Sequence, residues 1–170
     1  KPMVQAMTLL PFRPAVFARL IVGDFDQRQS VLRVDRDKKA KDRYVPLPKE
    51  TAALLKKNCA GKTSSEFVFL DGNGTPWNKD SWKKPFKRAA EAASLPETVT
   101  AYTLRHSVIT DLISLHNLDI NTVAIISGTS ARMIEQYYGH LIKDRGGLSV
   151  GEIALNQLYF DHSNTMRHQI

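Results

Sequence analysis

Two arginines and a tyrosine pair have the types and settings that phosphate chemistry requires. Arg13 precedes Pro14. The proline biases its predecessor away from helical dihedrals and suits the first position of a helix, so Arg13 is expected at the entrance of a helix over Ala15–Ile21. Arg105 falls in the first turn of a second helix, predicted over Leu104–Leu115, if Thr103 is the N-cap. A cation at a helix N-terminus opposes the macrodipole. The conflict disappears if an anion shares the site, because backbone N–H groups and a guanidinium then converge on one phosphate. Surface or structural ion pairs are the ordinary alternative for either arginine alone. The run Tyr137-Tyr138-Gly139-His140 closes a further predicted helix, Ala131–Tyr138. A phenol there can serve as a nucleophile. With a reference pKa of ~10 it needs cationic neighbours or a base to lose its proton. A tyrosine pair at a helix end is more often packing than catalysis, and helical spacing does not choose between the two.

Cations cluster in two other places. Arg33–Arg43 holds six, among them Lys38, Lys39, Lys41 and Arg43, against Asp35, Asp37 and Asp42. On a projecting hairpin such a run reaches into a nucleic-acid groove, whereas its usual role is a solvated turn. Lys79, Lys83, Lys84, Lys87 and Arg88 follow, against Asp80. They are placed to track a phosphate backbone and release counterions, or to solvate the outer face of a helix whose Trp82 and Phe86 enter the core. The chain as a whole carries 24 Lys+Arg and 17 Asp+Glu, a net charge of +7, which makes a polyanion a plausible partner.

Composition narrows the class. The 170 residues suit one compact domain, and 42% apolar with 24% charged residues is ordinary for a protein with a core. No apolar run approaches the ~18 residues of a membrane span, and Lys1–Leu10 lacks a secretory pattern. Cys59 is the single cysteine, and no Cys/His pair has zinc spacing, so neither a disulfide nor a structural metal is expected.

The elements that must position these residues follow from pattern. Lys1–Leu10 reads as a helix interrupted by Pro11 and Pro14. Ser30–Asp35 and Asp42–Leu47 read as two strands of a hairpin, with Pro46 at an edge or strand end. Pro48 opens a helix over Lys49–Asn58, and an extended piece at Glu66–Leu70 precedes the turn Asp71–Gly74. From Asn78 onward the chain is predicted almost entirely helical. Asn117–Asp119 is a break, Ile120–Ser127 a helix and Gly128 its C-terminal cap. After Gly146-Gly147, Ser149–Tyr159 forms a last amphipathic helix. The fold class is mainly α with a small antiparallel β-sheet (α+β).

Taken in order, these segments resemble the catalytic domain of the tyrosine recombinases, the phage integrase family. Leu9-Leu10-Pro11-Phe12-Arg13-Pro14 with Val22–Asp26 is similar to the first-arginine box. Lys38–Leu47 resembles the catalytic-lysine hairpin, and Thr100–Ser107 the second-arginine box. Ser127-Gly128-Thr129-Ser130 with Ile134–Leu141 resembles the closing segment, whose nucleophile lies two residues before a histidine. The resemblance spans about Leu9 to Leu141 and implies Arg13, Lys38, Arg105 and Tyr138 as catalytic residues, with Lys39 replacing Lys38 if the hairpin register shifts by one. Three positions depart from the pattern. Tyr102 stands where a histidine is often found, Thr129 where a histidine or tryptophan is found, and Val16 where an acidic residue commonly follows the first arginine. Tyr102 and Thr129 still donate hydrogen bonds, but neither shuttles protons at neutral pH. Thr129 is also a natural N-cap for the next helix.

The resemblance further implies a metal-free and cofactor-free reaction on double-stranded DNA. Tyr138 attacks a phosphate, Arg13 and Arg105 hold its non-bridging oxygens, and Lys38 protonates the leaving 5′-oxygen. Secondary contacts come from Tyr102, Thr129, His106 and His140. DNA contacts come from Lys39, Lys41, Arg43, Lys79, Lys83, Lys84 and Lys87. It implies self-association on DNA as a tetrameric synapse, a cytoplasmic, nucleoid-associated protein of a bacterium or phage, and residues 1–170 as one catalytic domain. An N-terminal core-binding domain is then expected outside this sequence, and residues 149–159 are a candidate helix for exchange between protomers. The rival readings are a helix-turn-helix regulator built on Ser107–Ser127, a recombinase descendant that binds DNA but cleaves poorly, and a type IB topoisomerase-like enzyme.

Overall fold

The computed structural model describes residues 2–34, 42–78 and 80–143. Lys38, Lys39, Lys41, Lys79 and the helix predicted over residues 149–159 lie outside the described residues.

The N-terminal half is built on apolar anchors around a small sheet. Helix α1 (Pro2–Met7) buries Met3, Ala6 and Met7, and α2 (Pro14–Arg19) buries Pro14, Phe17 and Ala18. Strands β1 (Phe25–Asp26), β2 (Val31–Val34) and β3 (Arg43–Pro46) form one antiparallel sheet in the order β1-β2-β3. Leu32 pairs with Val45 and Val34 with Arg43, so the inward residues of β2 and β3 share one face. The two predicted strands therefore pair antiparallel. Pro46 sits at the end of β3, which is also an edge strand, so the missing N–H costs no ladder bond. The strand β1 is an addition: at two residues it is too short to show the alternation that reveals a strand in sequence.

Helix α3 (Lys49–Cys59) lays Thr51, Ala52, Leu55 and Cys59 against this core, closing within one residue of its predicted end. The predicted extended piece appears as isolated bridges, Ile21 with Phe67 and Leu70 with Pro76. Helix α4 (Lys83–Ala92) begins later than expected. The Asn78 side chain accepts from the N–H groups of Asp80 (2.9 Å) and Ser81 (2.7 Å), so this stretch is a turn.

The C-terminal half packs as helices: α5 (Ala101–Ser114), α6 (Ile120–Ser127), α7 (Ala131–Tyr138) and α8 (His140–Lys143). Ile109, Ile113, Val123, Ala124, Ile134 and Tyr138 form its core. The break before α6 occurs as predicted. Asn117 has φ +55°. Asp119 then caps α6, accepting from Asn121 (2.9 Å) and Thr122 (3.0 Å) N–H groups. Helix α5 contacts α1, and α6 contacts β3, which joins the two halves. Among the described residues no helix is long and apolar enough to cross a membrane.

Candidate active site

The site forms where α2, α5 and α7 meet the C-terminus of α6. Gly128 caps α6 with φ +69°, as the sequence predicted, and the carbonyls of this turn and its cap accept from side chains as well as from the cap N–H groups. Three arginines take them. Arg43 Nη1 donates to Ile125 O (3.2 Å), Arg105 Nη1 to Ser127 O (2.8 Å) and Arg13 Nη1 to Gly128 O (3.0 Å). The negative end of the α6 dipole thus gathers cations that would otherwise repel one another.

Each arginine reaches this turn by a different route. Arg13 is the residue before α2, with φ −65° and ψ 142°, the extended conformation that Pro14 imposes. Its neighbour Phe12 is 1% exposed and stacks near Phe17 at 5.7 Å, anchoring the loop while the Arg13 side chain stays exposed. Arg105 is 8% exposed and also donates to Pro11 O.

The helix start corrects one expectation. Thr100, not Thr103, precedes α5, and Thr103 Oγ1 accepts from Thr100 N–H at 3.0 Å. Arg105 therefore lies in the second turn, clear of the α5 N-terminus, and its charge faces the α6 carbonyls instead.

Arg43 corrects a second expectation. Placed by the sequence on DNA, it is 8% exposed, with its guanidinium 5.0 Å above the Phe12 ring and pressed against Gly128. Its inward position on β3, paired with Val34, points it at the core, where it fastens the hairpin to α6.

Tyr138 and Tyr137 separate cleanly. Tyr138 is 7% exposed, whereas Tyr137 is 55% exposed. The Tyr138 hydroxyl meets His106 Nδ1, with ring centroids 5.8 Å apart. Burial pushes the phenol up from its ordinary pKa, and the charge of Arg105 opposes that rise. Burial and the like charge of Arg13 lower Arg105 to about 10, while Tyr138 and Tyr102 act in the other direction. Arg13, Arg105, Tyr102 and Tyr138 therefore share one electrostatic neighbourhood.

The remaining predicted residues fall nearby or elsewhere. Tyr102 is 46% exposed on α5, one turn before His106. Thr129 donates its N–H to Ala124 O (3.0 Å) in the turn after α6. The N-cap of α7 is Ser130, whose hydroxyl accepts from Met133 N–H at 3.3 Å, so the capping role expected of Thr129 belongs to its neighbour. Val16 is half-buried against the core, and a backbone carbonyl rather than a carboxylate holds Arg13. His140 is exposed at the start of α8. Lys83, Lys84 and Lys87 are exposed on α4, where Lys83 pairs with Asp80 (2.6 Å) and Lys87 approaches Glu91 (3.9 Å). The collar of carbonyls at Ser127 and Gly128 is the part that sequence reasoning missed. Its one signal is the glycine that ends α6.

A helical domain with a small three-stranded antiparallel sheet is the fold of tyrosine recombinase catalytic domains, and here two guanidiniums at one helix end lie in the same electrostatic neighbourhood as a buried tyrosine. The phage integrase family profile matches residues 2–145, and the chain belongs to that family. It is 25% identical over 169 residues to the tyrosine recombinase XerD of Pseudomonas putida, a match covering 95% of this chain and 53% of that protein. The chain thus spans about half the length of this curated relative. Among solved structures, XerA recombinase superposes with a TM-score of 0.65 at 19% identity, covering 95% of this chain and 61% of that one. The Tn1549 transposon integrase in complex with circular intermediate DNA superposes with a TM-score of 0.69 at 17% identity, covering 94% and 59%.

Proposed function

We propose that this chain is the catalytic domain of a site-specific DNA strand transferase, which cuts and rejoins duplex DNA through a 3′-phosphotyrosine intermediate. The observation that carries this reading is the convergence of Arg13 and Arg105 on adjacent carbonyls of one turn, with the Tyr138 phenol within the field of Arg105. In the reaction the Tyr138 oxygen attacks the scissile phosphorus as the bond to the 5′-oxygen breaks. Arg13 and Arg105 balance the charge that builds on the non-bridging oxygens. Lys38, or Lys39 in a shifted register, supplies the proton for the departing 5′-oxygen. Tyr102 and Thr129 donate hydrogen bonds to the phosphate. Attack by a 5′-hydroxyl of another strand reverses the step, so the energy of the broken bond is kept and no high-energy cofactor is consumed.

The partner in this reading is double-stranded DNA, contacted by Lys39, Lys41, Lys79, Lys83, Lys84 and Lys87, with chains assembling on it as a tetrameric synapse. A DNA substrate places the protein at the nucleoid. The test uses nicked duplexes selected from a randomised library by binding to the Tyr138→Phe protein. Wild type is expected to form a covalent protein–DNA adduct on them, and Tyr138→Phe is not. Binding without any adduct at all salt and protein concentrations would favour a regulator or a non-cleaving descendant. The latter draws its support from Val16, Tyr102 and Thr129. Relaxation of supercoiled plasmid without exchange between sites would favour the topoisomerase-like outcome.

A further inference from the structure

A buried phenol cannot attack phosphorus until its proton has a destination, and the strand-transfer reading leaves that destination open. Tyr138 is 7% exposed, so its ring is packed among protein groups. The group that meets the oxygen is the Nδ1 of His106. We propose that His106 is the general base that accepts the Tyr138 phenol proton, a role that rests on the strand-transfer reading.

Three features support it. An imidazole has two ring nitrogens, so it can take a proton at Nδ1 while carrying another at Nε2. His106 directly follows Arg105 on α5, so the base and the phosphate-binding guanidinium are carried by one rigid element. His106 is itself exposed, so the proton it gains can pass to solvent. Tyr102 lies four residues earlier, on the same face of α5. Its hydroxyl can donate to a phosphate oxygen. The charge of Arg105 acts on Tyr138, and Arg13 and Tyr102 act in turn on Arg105. Arg105 favours the phenolate that results.

The step balances. The O–H bond of Tyr138 breaks as its proton moves to Nδ1, the Oη–P bond forms, and the P–O5′ bond breaks with protonation of the 5′-oxygen by the lysine. On rejoining, the imidazolium returns the proton to the leaving phenol. This direction requires the neutral tautomer with hydrogen on Nε2, so that Tyr138 donates to Nδ1.

Two measurements test it. Nitrogen-15 NMR of the protein at neutral pH is expected to place the His106 hydrogen on Nε2, and a hydrogen on Nδ1 would overturn the proposal. On the selected nicked duplexes, His106→Gln is expected to slow adduct formation by ~10²-fold or more with DNA binding unchanged. Placing 3-fluorotyrosine, a more acidic phenol, at position 138 should recover part of that loss in the His106→Gln protein. A merely structural histidine would give no such rescue. A rate equal to wild type, or higher because the histidine only restrains the tyrosine, contradicts the proposal while leaving strand transfer intact. Absence of an adduct from wild type itself counts against strand transfer and against this role together.

Discussion

Arg13 and Arg105 donate to successive carbonyl oxygens, those of Gly128 at 3.0 Å and Ser127 at 2.8 Å. Residues 92 positions apart in sequence are thereby fixed against one helix turn. The helix C-terminus supplies partial negative charge in the absence of a ligand, and this offsets the repulsion of two guanidiniums held together. Arg105 still bears a burden, since burial and Arg13 lower it to about 10. A phosphate bound between the two arginines would relieve that burden, and their mutual repulsion would become attraction for that phosphate.

The turn tolerates no side chain at its glycine. A Cβ at Gly128 would lie 1.9 Å from Arg43 Nη1, and the residue has φ +69°. Gly128→Ala is expected to cost about 1–2 kcal/mol for the left-handed backbone, and more for displacing the buried Arg43. Gly61 offers the control, because it has φ +74° with open space around its Cβ position. Urea unfolding should show a distinctly larger loss for Gly128→Ala than for Gly61→Ala. Equal losses would show that Arg43 does not pack as described.

The pH behaviour of Tyr138 has a definite sign. Its folded pKa is raised, so the folded state keeps the proton where the unfolded phenol has lost it. That contribution to stability is present below the unfolded value of ~10 and is lost as pH rises through the folded value. Arg105 acts in the opposite sense, its folded value of about 10 lying below its ordinary one. A signal specific to phenolate separates the two. Ultraviolet titration of wild type minus Tyr138→Phe should show a phenol ionising above the ordinary tyrosine range. A difference curve at or below that range would contradict the burial of the ring.

Exposed lysines on α4 should act on DNA affinity through counterions alone. Each of Lys83, Lys84 and Lys87, if it neutralises a phosphate, is expected to lower the slope of log K against log salt by ~0.9 when replaced by glutamine. Lys83 and Lys87 have carboxylate neighbours at 2.6 Å and 3.9 Å, so Lys84→Gln should give the fullest change. A slope unmoved by all three replacements would remove α4 from the DNA surface.

Local signals made much of this architecture legible. Pro14 placed Arg13 in extended backbone before α2, Gly128 ended α6, and two β-prone runs on either side of a polar segment marked the paired strands β2 and β3. Long-range packing was not legible. Arg43 sits in a run of cations and reads as solvated, and only its pairing with Val34 turns it inward. The choice of Tyr138 over Tyr137 came from resemblance to the family, since adjacent residues on a helix end carry no intrinsic mark. Exposures of 7% for Tyr138 and 55% for Tyr137 now distinguish their surroundings. The start of α5 was misplaced because Thr100 and Thr103 are equally good caps by type, and only the hydrogen bond between them decides.

The most direct test of the account is the position at which DNA becomes attached. Adduct formed on the selected nicked duplexes would be digested with protease and nuclease, and the modified peptide sequenced by mass spectrometry. The account predicts a nucleotide 3′-phosphate on Tyr138, with Tyr137 unmodified. Attachment to Tyr137, to Tyr102 or to a serine would contradict it.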